Sequence, residues 1–192
     1  MAVHAAAGNA VLGKEKADSE RCLECHGEAG AGQGLSQGMD GKFARLDGQY
    51  ADYLVKQVRD FRNGARKHEF MTMMAKSLDD ADLLDIAAYF AAEPVRKGTA
   101  GLPLDPAAQR LFEQGDAARG LVACTSCHGA NGAGGGAAGP VLKGQGQAYL
   151  MQQLHEWRTH TRTNSPGGVM NQQAKALTEA EIAALARYLS SL

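Results

Sequence analysis

The cysteines of this chain all fall within two copies of one short motif. Residues Cys22–His26 have the sequence Cys-Leu-Glu-Cys-His, and residues Cys124–His128 have the sequence Cys-Thr-Ser-Cys-His. This spacing is the pattern for covalent attachment of c-type haem, because each thiol can bond one vinyl group of a porphyrin while the adjacent imidazole binds iron from one face. The sequence therefore predicts two covalently bound haem c groups, with attachment through Cys22, Cys25, Cys124 and Cys127 and iron ligation by His26 and His128.

Disulfide bonding is the main alternative for four cysteines in an exported chain. It leaves the two histidines that directly follow the cysteine pairs unexplained. We therefore favour haem attachment.

A histidine-ligated haem iron needs a second axial ligand or an open sixth position. Methionine favours electron transfer, because its thioether stabilises ferrous iron, raises the reduction potential and leaves no open site. Met71 lies eight residues before Asp79, a predicted helix cap, and Met170 lies eight residues before the corresponding cap, Thr178. The matching positions predict Met71 and Met170 as the second ligands.

Other residues compete for this role. Met73 and Met74 lie close to Met71, and a methionine beside a helix is more often a core residue. The repeat pairs Met170 with Met71, and this favours Met71 over its neighbours. Bis-histidine ligation is the remaining alternative, but the repeat places no histidine opposite the candidates in the other half. We interpret these as surface or loop residues: His68, His155 and His160.

The elements that must position these ligands occur twice in the same order. In the first half, a short helix is predicted over 10–25, a second over 50–63, and a third from the cap Asp79 onward, whereas 65–76 shows no clear periodicity. In the second half, a helix is predicted over 107–115, and Thr178 with Glu181 forms a capping box for the last helix. Such ordered recurrence indicates an internal duplication.

The proline-containing stretch between the halves divides the chain. We predict a first domain over residues 1–93, a linker over 94–106 and a second domain over 107–192, all within 192 residues. Domains this small bury limited apolar surface, so a large cofactor would supply much of each core.

Charge and hydropathy exclude several classes of function. The formal net charge is −1, which gives no basic signature for nucleic acid. No apolar run is long enough to span a bilayer. Haem c is attached outside the bacterial cytoplasm, so we expect a periplasmic protein whose signal peptide is absent from this sequence, because residues 1–7 lack its long apolar centre.

With these landmarks, the chain resembles the dihaem cytochrome c4 family over nearly its whole length. The resemblance is carried by the two cysteine motifs, by the turns Leu46–Gln49 and Leu142–Gln145 with a tyrosine four residues after each glutamine, and by the closing helical segments 82–90 and 181–189. It implies an all-α fold of two tandem class I cytochrome c domains with pseudo-twofold symmetry and neighbouring haem edges. It also implies His26/Met71 and His128/Met170 as axial pairs, and a periplasmic electron carrier that often donates to terminal oxidases.

One departure from this family pattern concerns the residue before the turn. A proline there commonly offers its carbonyl to the proximal histidine; Pro140 occupies this position in the second half, but Ala44 does so in the first. We expect the hydrogen bond to survive and the first haem environment to be the looser one.

We therefore predict an electron-transfer protein rather than an enzyme. Its expected partners are redox proteins, with no nucleic acid and no small-molecule substrate, and the sequence leaves open a peripheral association with a membrane. The alternatives are an electron-transfer subunit of a dehydrogenase, such as a thiosulfate- or alcohol-oxidising system, a dihaem peroxidase or small-molecule oxidase with an open iron position, and a haem-stabilised binding module without a redox role.

Overall fold

A computed structural model describes residues 8–32, 42–95, 97–98 and 104–192. Within these ranges the chain is helical and contains no β-strand beyond two isolated bridges. The expectations for residues 1–7 and for part of the predicted linker lie outside the described residues. The α-helices are α1 (Ala10–Ser19), α2 (Cys22–His26), α3 (Ala51–Asn63), α4 (Glu69–Ser77), α5 (Asp80–Ala92), α6 (Pro106–Gln114), α7 (Thr125–His128), α8 (Gln147–Arg158), α9 (Val169–Lys175) and α10 (Glu179–Ser191).

The two halves of the chain build separate hydrophobic cores from corresponding helices. In the first half α5 packs on α1 and α3, and in the second half α10 packs on α6 and α8. The predicted all-α fold of two tandem domains is therefore confirmed. The first core contains Ala17, Leu54, Val55, Leu83, Ile86, Ala87, Tyr89 and Phe90. The second contains Ala108, Phe112, Leu121, Leu150, Leu177, Ile182, Leu185, Ala186, Tyr188 and Leu189.

Close backbone approach brings α1 onto α5. A Cβ added at Gly13 would lie 1.9 Å from the carbonyl oxygen of Asp85, so only glycine fits at this crossing without a backbone shift. Asn9 begins α1 by accepting hydrogen bonds from the backbone N–H groups of Val11 and Leu12. The helix that precedes the first cysteine motif is thereby fixed against the closing helix of its domain.

The predicted helix ends agree with the structure where a residue at the helix end supplies the cap. Asp79 accepts the backbone N–H of Asp82 and begins α5. Thr178 and Glu181 form the predicted capping box of α10. Gly64, with a φ of 82°, ends α3. Hydroxyl, carboxylate and glycine caps act locally, so sequence spacing identifies them.

One prediction of secondary structure was wrong, and one helix was not predicted. The helix expected over 10–25 is two helices, because Arg21 has a left-handed φ of 60° and separates α1 from α2. The segment with no clear periodicity contains α4, which His68 caps. The apolar residues of α4 did not reveal its buried face, because Phe70 and Met73 are 65% and 59% exposed. Among the described residues, no helix is long and apolar enough to cross a membrane.

Candidate functional site

The two motif histidines make the same hydrogen bond in both domains. Nδ1 of His26 lies 2.7 Å from the carbonyl oxygen of Ala44, and Nδ1 of His128 lies 2.9 Å from that of Pro140. A carbonyl can only accept, so Nδ1 carries the proton and the lone pair is left on Nε2. The predicted hydrogen bond at Ala44 is therefore confirmed. Each imidazole presents one free nitrogen that could bind a metal.

Burial keeps both imidazoles in the neutral form that binds metals. His128 is 7% exposed and His26 is half-buried. Burial lowers the pKa of each ring, and the carbonyl hydrogen bonds oppose this effect. A neutral ring with its proton held at Nδ1 is the form that ligates iron.

The four cysteines form no disulfide bond and lie in matching environments in the two domains. Burial raises the pKa of Cys22 and Cys124 to about 11, whereas Cys25 and Cys127 are exposed. In each domain, one half-buried thiol and one exposed thiol lie within a single helical turn of the histidine. Two thiols and an imidazole in this order are the donor set that fits one covalently attached haem per domain.

Glycine loops fold back onto the motifs that they follow. The N–H of Gly134 donates to the carbonyl oxygen of His128 at 2.6 Å, and Gly32 makes the corresponding bond to His26 at 2.5 Å. A Cβ added at Gly139 would lie 1.8 Å from the carbonyl oxygen of Cys127. The loop can pack this closely on the second motif only because residue 139 has no side chain.

The candidate methionines lie at the beginning of α4 and α9. Met71 and Met170 are both half-buried, and each has its backbone N–H near a polar side chain, His68 Nδ1 at 3.4 Å and Ser165 Oγ at 3.2 Å respectively. Met73 is 59% exposed, which makes it a poor candidate for a ligand. Met74 is half-buried like Met71, so exposure alone does not separate those two.

The other histidines that the structure describes lie toward the outside of the domains, as expected. His68 and His160 are exposed, and His68 caps α4. His155 is half-buried on α8, with Nε2 3.4 Å from a carboxylate oxygen of Glu179. Their placement supports the interpretation as surface or loop residues.

A buried cluster of arginine, glutamine and tyrosine joins the two domains. Arg66 donates to Oε1 of both Gln57 and Gln153, at 2.9 and 2.7 Å, and to the hydroxyl of Tyr149 at 3.1 Å. Arg162 donates to the same two glutamine oxygens, at 2.9 and 2.6 Å. The cluster places two cations between the domains.

Motifs and local spacing did not indicate that these two arginines are buried between the domains. The available signal was the repeat, because Arg66 and Arg162 are separated by the same 96 residues as Gln57 and Gln153. An arginine is usually exposed, so its recurrence alone did not indicate burial.

Comparison with known proteins identifies the family to which this chain belongs. The cytochrome c family model matches residues 10–92 and again residues 107–192. The chain therefore belongs to the cytochrome c family and contains its domain twice. It is 38% identical to cytochrome c4 of Thiocapsa roseopersicina, over 96% of this chain and 93% of that protein. Within the cytochrome c family, the chain belongs to the dihaem cytochrome c4 family: it carries two covalently bound haem c groups and is an electron carrier.

Two further similarities bear on the arrangement and on function. The crystal structure of reduced recombinant cytochrome c4 from Pseudomonas stutzeri matches with a TM-score of 0.85 at 36% identity, covering 97% of this chain and 100% of that one. The chain is also 33% identical to the thiosulfate dehydrogenase electron acceptor of Thiomonas intermedia, over 91% of this chain and 79% of that protein.

Proposed function

We propose that this chain is a periplasmic one-electron carrier whose two haems are each ligated by one histidine and one methionine. The observation that carries the proposal is the pair of hydrogen bonds from Nδ1 of His26 and His128 to backbone carbonyls. They leave Nε2 of both rings unprotonated and hold the rings in one orientation. Such a bond also makes the imidazole a stronger donor to iron.

Each domain would hold its haem through the two thiols of its own motif. Cys22 and Cys25 would bond the first haem, and Cys124 and Cys127 the second. The bound haem supplies one-electron chemistry between ferric and ferrous iron. The protein supplies axial ligands that change little between the two oxidation states and a surrounding that excludes water.

Met71 and Met170 are the proposed second ligands. Both are half-buried, both lie in the first turn of a short helix, and each lies eight residues before the cap of the next helix, Asp79 or Thr178. The division into a first domain over 1–93, a linker over 94–106 and a second domain over 107–192 is part of this proposal. It agrees with cores that each draw on one half only.

The proposed partners are redox proteins: a reductase or dehydrogenase as donor, and a terminal oxidase or another acceptor. A narrower candidate role is that of electron acceptor in thiosulfate oxidation, since the relative from Thiomonas intermedia bears that name. Mixing the oxidised protein with a thiosulfate dehydrogenase and thiosulfate tests this role, because fast reduction of the haems requires a productive encounter.

Replacing each candidate methionine by alanine tests the ligation. Met71→Ala and Met170→Ala should each remove about half of the weak sulfur-to-iron charge-transfer band of the oxidised protein and lower one reduction potential. Met73→Ala and Met74→Ala are the matched controls and should retain the band. Loss of the band in Met74→Ala instead would transfer the role to that residue.

The spin state of the native protein separates the carrier from an enzyme. A carrier with two complete ligand pairs is low-spin at both irons. A high-spin haem in the native protein would contradict the carrier proposal and favour a peroxidase-type enzyme with an open iron position.

A further inference from the structure

One peptide group in each domain links the candidate proximal histidine to the opposite domain. The carbonyl of the peptide between Ala44 and Arg45 accepts the Nδ1 proton of His26 at 2.7 Å. The N–H of the same peptide, that of Arg45, donates to Oε1 of Gln145 in the second domain at 2.8 Å. The two ends of a single peptide dipole are therefore bonded to groups from different domains.

The second domain repeats this arrangement with the roles reversed. The carbonyl of the peptide between Pro140 and Val141 accepts the Nδ1 proton of His128 at 2.9 Å. The N–H of Val141 donates to Oε1 of Gln49 in the first domain at 3.0 Å. Because Gln49 and Gln145 correspond in the internal repeat, the two links are related by the pseudo-twofold symmetry.

The orientation of each glutamine amide is fixed by a second bond to the same residue. Nε2 of Gln145 donates to the carbonyl oxygen of Arg45 at 3.0 Å, and Nε2 of Gln49 donates to that of Val141 at 3.1 Å. Both glutamines are 4% exposed. Rotating either amide would place its NH2 group against a backbone N–H and its oxygen against a backbone carbonyl, so both hydrogen bonds would be lost in a buried site.

Hydrogen bonds at the two ends of a peptide group strengthen one another. An acceptor on the N–H side polarises the peptide and makes its carbonyl oxygen a better acceptor. A better acceptor at Nδ1 raises the electron density of the imidazole, and a more basic ligand stabilises ferric over ferrous iron. The glutamine of one domain can therefore influence the iron of the other.

We propose that Gln145 and Gln49 are positioning residues that tune the reduction potential across the domain boundary. Gln145 acts on the haem bound by His26, and Gln49 acts on the haem bound by His128. The inference rests on the proposed function, in which these two histidines are the axial ligands. It makes the potential of each haem depend on one glutamine side chain of the other domain.

Spectroscopic redox titration of the dihaem protein tests this inference. The titration should show two redox waves, one for each haem, and these are assigned first. Met71→Ala should displace the wave of the first-domain haem, and Met170→Ala should displace the wave of the second-domain haem. Gln145→Leu should then raise the first-domain wave, changing its redox equilibrium constant by about two- to fivefold, and leave the second-domain wave in place. Gln49→Leu should do the reverse. Gln152→Leu, an exposed glutamine on α8, is the control and should move neither wave.

Exchange of the Nδ1 protons gives a second readout that does not depend on potential. Gln145→Leu should speed the exchange of the Nδ1 proton with solvent at His26 more than at His128, because the carbonyl of Ala44, which accepts the His26 proton, becomes a weaker acceptor. If Gln145→Leu does not retain both haems, Gln145→Met keeps the side-chain volume and serves in its place. If Gln145→Leu moved the reduction potentials of both haems together, the cause would be general loosening of the interface, and the proposal would be overturned. It would also be overturned if only the potential of the mutated domain moved, or if neither potential moved.

The outcome also distinguishes this inference from the proposed ligation. Native low-spin His/Met spectra with unmoved potentials in both glutamine variants would contradict the cross-domain effect alone. A native spectrum without His/Met signatures would contradict the ligation itself.

Discussion

Arg66 and Arg162 both donate a hydrogen bond to the same oxygen, Oε1 of Gln153, at 2.7 and 2.6 Å. The two arginines are 8% and 5% exposed. They lie over corresponding rings, Arg66 over Phe61 at 4.6 Å and Arg162 over Trp157 at 4.3 Å. The hydrogen-bond acceptors that join them to the glutamines and tyrosines of both domains are neutral.

Removing one of these charges should lower a reduction potential. Arg66→Gln keeps a hydrogen-bonding side chain in the cluster but removes the cation. Burial is the main cause of the lowered pKa of His26, and the charge of Arg66 adds to it, so this cation acts at the first candidate site. A buried cation favours the ferrous state. With an effective dielectric constant of about 20, a unit charge roughly 10 to 20 Å away contributes on the order of 1 kcal/mol, so redox titration should show a decrease of that order at the first-domain haem.

The matched control is Arg59→Gln, because the Arg59 side chain is 49% exposed and pairs with Asp80. Solvent screens its charge, so the potentials should stay in place. Tyr149 supplies an independent readout. Burial raises its pKa, but the charges of Arg66 and Arg162 outweigh burial and lower it. Arg66→Gln should therefore raise the pKa of Tyr149 in an ultraviolet titration, and unchanged potential and pKa together would contradict this role for Arg66.

The sequence predicted the features that depend on residues close together in the chain. The two cysteine motifs, the caps at Asp79 and Thr178, and the duplication were all readable from spacing. The bonds between domains were not, because they join residues 83 to 109 positions apart through side chains that are usually exposed. Gln145 was recognised only as a landmark of the repeat, although its amide bonds the backbone of Arg45 in the other domain.

Adding one methyl group at Gly139 should disturb the second haem site. A Cβ there would lie 1.8 Å from the carbonyl oxygen of Cys127, so Gly139→Ala must displace the loop or the motif. Overpacking of this kind costs about 1 to 3 kcal/mol. We expect lower haem content per chain, measured as alkaline pyridine haemochrome, with the loss confined to the second domain. Ala138→Val adds two methyl groups at an exposed neighbour in the same loop and should retain both haems; equal haem content in the two variants would refute the steric argument.

An arginine distant in sequence, Arg119, hydrogen-bonds the glutamate of the α10 capping box. Arg119 donates to both carboxylate oxygens of Glu181, at 3.0 and 2.6 Å, while the backbone N–H of Thr178 donates to Oε2 at 2.8 Å. These bonds lower the pKa of Glu181 from 4.5 to about 2, and the hydrogen bond from Arg119 is the largest cause. The carboxylate therefore contributes to stability only while it is ionised.

Acid should remove this contribution in a defined pH range. The pKa of Glu181 is lower in the folded chain than its ordinary value of 4.5, so its stabilisation is fully present above about pH 4.5 and is lost as the pH falls toward 2. Glu181→Gln keeps a side chain that can complete the capping box but removes the charge. Because the Glu181 side chain is 26% exposed, screening reduces the effect, and we expect a loss of about 1 kcal/mol in the free energy of unfolding at pH 7.

Denaturant unfolding at pH 7 and pH 2.5 measures this difference, which should be smaller at the lower pH. Glu113→Gln, at an exposed carboxylate on α6, is the control. An equal loss for Glu181→Gln at both pH values would show that the ion pair with Arg119 does not stabilise the second domain.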